Sequence, residues 1–475
     1  MNYLSVQFAL FLAAAVLGYY LCPRRHRPFW LLLASYAFYV LWSPLAALGI
    51  LGATVFTFWI GLLVEGKQAR NTSENLGRST MALAVTLLLL YLGFYKLLGP
   101  MGDWLSGKAA TPEPWKAFLA RNVALPLGIS YYSFKLISYV VDVYWRKIPA
   151  ERNFVAFASY VAFFPQIVAG PIQRSGDFLQ QIHNLSPSPE CMKSGLRRLL
   201  LGCFKKTVIA DNLGLLISLA YPHSVPSHAS SLAAFYLYPL QLYADFSALT
   251  DIAVGAGRLF GIESPENFNE PFLASSISHY WRRWHMSLTT WLTDYVFLPL
   301  RMATRRAGNW GLAFSLMVNM LLIGLWHAVS WTFVVFGLLH GIFLVVDALT
   351  ARGRLKFFKA HARWDRAATW LGPVFTFHLV AFAMVFVRAE SLPQAWDVLS
   401  RLGAPGLVSV GIFEQETRYA LIGLALWILW SIAQKQRWMR PVQAPVWGRW
   451  AFYYSVIAMI VKYGHNAEGF IYFKF

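Results

Sequence analysis

Long apolar blocks separated by short polar loops make up most of the 475-residue chain. Residues 3–22 carry no charge, and twenty residues cross a ~30 Å hydrocarbon core as one helix. The basic run 23–27 follows this block instead of preceding it, which is the wrong order for a secretory signal. Residues 29–64 form a second uncharged block, and Ser43-Pro44 predicts two helices there, because a proline inside one helix would break it. Further crossings are predicted over 81–95, 123–144, 207–221, 232–256, 367–387, 419–434 and 450–461. Residues 307–346 hold no formal charge over forty positions and break near Trp326-His327. Two stretches do not read as clean spans. Residues 154–206 are interrupted by Pro165, Gly170, Pro171, Arg174 and Asp177, and predict re-entrant or interfacial helices. That makes the stretch a candidate cavity wall. Residues 276–306 are amphipathic with basic ends.

The expected architecture is all-α: a polytopic membrane protein of about eleven to twelve crossings, plus re-entrant helices around a central tunnel. A single domain over 1–475 is expected, with N-terminal helices (1–122), a catalytic core (123–350) and C-terminal helices (351–475). Composition agrees, with 57% hydrophobic and only 13% charged residues. So few charges would not cover the surface of a soluble enzyme. The net charge of +19 is the feature that needs explaining. Its excess lies in loops such as 24–27, 193–206, 301–306 and 352–366, which the alternation of spans assigns to one face. Enrichment of Lys and Arg on the cytoplasmic side accounts for it without nucleic acid and puts both termini outside. Cys22, Cys191 and Cys203 form no CxxC pair and predict neither a disulfide framework nor a metal site. There is no P-loop and no HExxH, and Gly255, Gly257 and Gly261 do not follow a strand.

Ionisable groups inside membrane segments are costly and point to function. His327 lies in the middle of the uncharged block with no carboxylate near it in sequence. A neutral imidazole there suits a general base, against the alternative of a histidine satisfied by a backbone carbonyl. Trp326 with Ser330, and His327 with Trp331, would each share a face if the helix continued. His340 follows thirteen residues later, as tunnel lining or as packing. In His279-Tyr280-Trp281-Arg282-Arg283-Trp284-His285, Trp281 and Arg282 read as an interfacial belt, with Arg282 and Arg283 also able to meet phosphate. A continuous helix would place His285 beside Trp281 and Thr289. Trp284 and Asn319 are further candidates for the tunnel wall. Asp245, deep in an apolar stretch, either orients a histidine or has a structural role.

Several motifs carry a resemblance when taken in order. They are Pro126-Leu127-Gly128-Ile129-Ser130-Tyr131-Tyr132-Ser133-Phe134, Phe164-Pro165-Gln166-Ile167-Val168-Ala169-Gly170-Pro171-Ile172, Tyr243-Ala244-Asp245-Phe246-Ser247 and Pro265-Glu266-Asn267-Phe268-Asn269. Then come Tyr280-Trp281-Arg282-Arg283-Trp284-His285, Gly324-Leu325-Trp326-His327, Leu339-His340-Gly341, Phe386-Val387-Arg388-Ala389 and the ending 470–475. With them the chain resembles the membrane-bound O-acyltransferase (MBOAT) family, in its branch of bacterial polysaccharide O-acetyltransferases. The resemblance implies an enzyme of the inner membrane with no bound cofactor. It implies that acetyl groups pass from a cytoplasmic thioester, acetyl-CoA, towards an exopolysaccharide such as alginate or cellulose. It also implies a periplasmic SGNH-hydrolase-like transferase as partner, beside the polysaccharide synthesis and secretion complex. The family's essential histidine matches His327, and its second tunnel histidine matches His285. Ala328-Val329 departs from the Gly-Ala pair that often follows the histidine, which bears on acyl size. D-alanyl or other acyl transfer to a cell-envelope polymer is the alternative, and a small-anion transporter is the non-enzymatic one.

Overall fold

A computed structural model describes residues 3–69, 74–106, 126–218, 228–403 and 445–464, together with 418, 421–425 and 428. The described residues contain helices and no strand. Among the described residues, five helical stretches are long and apolar enough to cross a membrane: Pro44–Lys67, Asn75–Leu97, Arg305–His327, Trp331–Ala360 and Ala362–Arg388. Val6–Leu21 and Phe154–Ile167 are shorter apolar helices. The motif at 470–475 and most of the expected crossing at 419–434 lie outside the described residues.

Contacts divide the chain into two compact units. The first comprises Met1–Arg197 with Ala253–Pro265. Its helix boundaries follow the sequence signals. Ser5 caps α1 (Val6–Leu21) by accepting from the Phe8 N–H. Ser43 adopts extended backbone and separates α2 (Arg27–Trp42) from α3 (Pro44–Ala69), as the proline requires. The broken stretch is broken in the structure too, with helices over Phe154–Ala162, Phe164–Ile167, Ser175–His183 and Pro189–Phe204. Its irregular backbone is tolerated because it is buried and supplied with partners. The Tyr3 hydroxyl donates to the Pro165 carbonyl, and the Tyr19 hydroxyl to that of Phe260. Gln166 donates to Gln173 and Ser264 and accepts from the Lys135 ammonium at 3.0 Å. Phe157, Tyr160, Phe163 and Phe164 are fully buried. This stretch therefore serves as packed interior, and the cavity described below is built from other residues.

The second unit comprises Arg198–Ile252 and Glu266–Phe475. The expected span at 232–256 lies within one helix, His228–Leu259, despite an internal Pro239. The amphipathic stretch 276–306 is not one helix. It splits into α4 (Ile277–Trp281), α5 (Met286–Leu292), a π-helical turn at Thr293–Phe297 and a short helix at Leu298–Ala303. The uncharged block forms α6 (Gly308–His327) and α7 (Trp331–Ala360), which pack closely as an antiparallel pair. Small residues allow this approach: a Cβ on Gly337 would meet the Met320 carbonyl at 2.8 Å, and one on Gly341 would meet the Met317 sulfur at 2.6 Å.

Candidate active site

His327 is the last residue of α6. Ala328 and Ser330 are extended, so the helix does not run on to Trp331. The shared faces predicted for His327 with Trp331, and for Trp326 with Ser330, are therefore not formed. Trp331 starts α7 and is 74% exposed. The His327 ring instead lies 4.6 Å from Trp326, stacks on Phe333 at 5.9 Å and meets Phe336 at 6.4 Å.

His285 reaches the same cluster through Trp326, ring to ring at 5.7 Å. Phe246 closes its other side at 4.7 Å. His285 has left-handed backbone (φ 42°, ψ 53°) and precedes α5, so Trp281 is not its helical neighbour as a continuous helix would have it. The bend is held from outside, because Asn267 accepts from the Met286 N–H through its carbonyl and from the Ser287 hydroxyl through its side chain. His285 is 1% exposed, and neither ring nitrogen has a hydrogen-bond partner among the described residues. Without a carboxylate partner, such a ring is buried in its neutral form.

His340 is fully buried on α7. Its Nδ1 accepts from the indole N–H of Trp281 at 3.2 Å, and its ring stacks on Tyr280. Trp281 is thus an interior residue rather than the headgroup anchor its setting predicted. Trp284 packs among Tyr243, Phe268, Phe272 and Tyr280. Asp245 lies 2.9 Å from the Lys206 ammonium, which Asp211 also binds at 2.6 Å, a buried charge cluster that takes the structural reading. Arg283 donates to the Glu270 carbonyl, while Arg282 is exposed. Burial, then Arg283 and Arg282, hold the neighbouring His279 below the usual histidine range.

A cavity of about 540 Å³ opens between α4, α5, α6 and α7. Arg282, Asn319 and Trp281 line it, together with Thr289, Asp347 and Arg354, which sequence reading missed. Leu316, Met320 and Ile323 form its apolar wall on α6, and Leu344 on α7. Ile323 is one turn before His327, so the wall leads towards that ring. Asp347 accepts from the Ser278 N–H and pairs with Arg354, which ties α4 to α7 at the polar end. The signal that could have found these residues is the spacing 340, 344, 347, 351, 354, one face of a helix. A volume in this range suits a small-molecule site.

The model of the membrane-bound O-acyltransferase family matches residues 146–387. The chain belongs to that family. It is a multi-pass membrane acyltransferase. A probable alginate O-acetylase of Azotobacter vinelandii is 38% identical over 403 residues, covering 84% of this chain and 77% of the relative. A peptidoglycan O-acetyltransferase of Helicobacter pylori is 30% identical over 436 residues, 85% of this chain and 79% of the relative. A teichoic acid D-alanyltransferase of Bacillus subtilis is 28% identical over 354 residues, 70% and 84% respectively. The acyltransferase reading replaces the transporter alternative.

Proposed function

We propose that this acyltransferase takes acetyl groups from cytoplasmic acetyl-CoA for O-acetylation of an exopolysaccharide, alginate before cellulose. The alginate O-acetylase relatives, at 34–38% identity, favour alginate. Basic segments 301–306 and 352–366 flank α6 and α7 at the end where Arg354 lies, so this end of the cavity faces the cytoplasm of an inner-membrane protein with periplasmic termini. The donor's phosphates meet Arg282 and Arg354, and its thioester arm follows the apolar wall towards His327. The single observation that carries the reading is this juxtaposition: a cavity polar at its basic end, whose α6 wall ends one turn from the histidine of the uncharged block.

His327 acts as general base. It takes the proton of an acceptor hydroxyl whose oxygen attacks the thioester carbonyl carbon; the carbon–sulfur bond then breaks, and the departing thiolate takes the proton from the imidazolium. Aromatic walls keep the site dry and aligned. His285, across Trp326, belongs to the same site. A periplasmic SGNH-hydrolase-like transferase associated with the polysaccharide synthesis machinery then moves the acetyl group from the acceptor's ester to the polymer: a polymer hydroxyl forms the new ester, the first ester bond breaks, and the acceptor hydroxyl is released with its proton. The test is His327→Ala in membranes supplied with labelled acetyl-CoA. Normal insertion with about 10²–10⁴-fold less transfer is expected; full acetylation overturns the assignment.

A further inference from the structure

The cavity and the His327 cage are connected by one face of α7. Phe333 and Phe336, towards its N-terminus, contact His327. Leu344 and Asp347, towards its C-terminus, line the cavity. His340 occupies the turn between them. Phe336 touches its ring at 4.8 Å, and Trp281, a cavity-lining residue, meets it edge-on at 5.1 Å.

Hydrogen bonding fixes the state of this ring. An indole N–H only donates, so Nδ1 of His340, which accepts from Trp281, carries no proton. The neutral ring therefore holds its proton on Nε2. Nε2 is buried and has no partner among the described residues. A buried N–H left without an acceptor is destabilising. This N–H lies on the face of α7 between the cavity and His327.

We propose that His340 is a catalytic residue whose Nε2–H donates to the carbonyl oxygen of the thioester. The inference rests on the acetyl-transfer reading above. As the acceptor oxygen adds to the carbonyl carbon, the C=O electron pair moves onto oxygen, and Nε2–H stabilises that charge. When the carbon–sulfur bond breaks, the pair returns to C=O and the thiolate leaves with the proton His327 took from the hydroxyl. Trp281 is a positioning residue that holds the required tautomer.

Two conservative variants separate this role from packing. The amide of His340→Gln sits near the Nε2 position and keeps a donor, whereas that of His340→Asn sits near Nδ1 and keeps only the partner of Trp281. Transfer from labelled acetyl-CoA is measured with the full chain in membranes, at matched amounts of inserted protein. The expected result is kcat within about tenfold of wild type for Gln and reduced about 10²–10³-fold for Asn, with the donor KM little changed in both. The reverse order, Asn active and Gln inactive, assigns His340 to supporting Trp281 and overturns the proposal. A wild-type chain that transfers no acetyl group overturns the underlying reading as well. A second measurement reads the bond itself: the infrared carbonyl band of [1-¹³C]acetyl-CoA is expected at lower wavenumber when bound to the wild-type chain than when bound to His340→Asn. Equal bands refute the hydrogen bond.

Discussion

Gly324 offers a quantitative test of how the α6–α7 contact positions His327. It lies one turn before His327, and a Cβ added to it would fall 2.3 Å from the Phe333 carbonyl oxygen. An ordinary close carbon–oxygen approach is about 3.3 Å, so Gly324→Ala must part the two helices locally by about 1 Å. The contact is with backbone, so no side chain can rotate away. Phe333 is also the ring on which His327 stacks, so the same displacement moves the imidazole and its support together. A misplacement of about 1 Å costs roughly 10²-fold in rate, while overpacking strain costs about 1–3 kcal/mol. The rate is therefore the sensitive readout. In membranes given labelled acetyl-CoA and polymer, Gly324→Ala is expected to insert and to transfer acetyl about 100-fold more slowly per inserted chain. Gly52→Ala, where a Cβ meets nothing within 4 Å, serves as the matched control at the wild-type rate. A Gly324→Ala chain as fast as that control refutes the argument that the close contact sets the position of His327.

Other outcomes follow from the same geometry. His285→Ala is expected to lower acetylation in cells by about 10²-fold with normal insertion, and acetylation at the wild-type level removes His285 from the site. Arg282→Gln and Arg354→Gln are each expected to raise the KM for acetyl-CoA about tenfold, the loss of about 1.4 kcal/mol of phosphate binding, with little change in kcat; an unchanged KM moves the donor away from this cavity. Lys206→Met removes the ammonium shared by Asp211 and Asp245. It is expected to cost about 3–5 kcal/mol, read as a lower melting temperature in detergent, and an unchanged melting temperature refutes the buried pairing.

Much of this was legible in the chain. The Ser43-Pro44 break, the interruption of 154–206 and the end of α6 at His327 follow from where proline, glycine and polar residues cut apolar blocks. His327 was recognisable as an isolated ionisable group and His285 by its motif, and the structure joins them through Trp326. Two of the errors share one cause. Extrapolating helical periodicity across 281–289 and 327–331 paired His285 with Trp281 and His327 with Trp331. The backbone leaves the helix at His285, and again over Ala328–Ser330. Periodicity along the sequence does not report such a turn when contacts from distant residues, such as Asn267, stabilise it.

The sequence by itself determined the membrane class, the order of most helices, the charge excess and the place of the central histidine. Each of these depends on hydrophobicity, charge or a helix breaker, and all three act locally. Only the tertiary structure decided that Trp281 is interior, that Asp347 and Arg354 line a cavity with Arg282, and that His340 keeps its proton on Nε2. Those properties depend on which polar atom meets which across tens of residues, and composition and spacing do not encode that distance. The charge excess is likewise legible segment by segment, although 193–206 and 352–360 are helical where loops were expected, and Lys205 and Lys206 are buried in ion pairs. That Arg282 and Arg354 lie at the same cavity is a property of the fold.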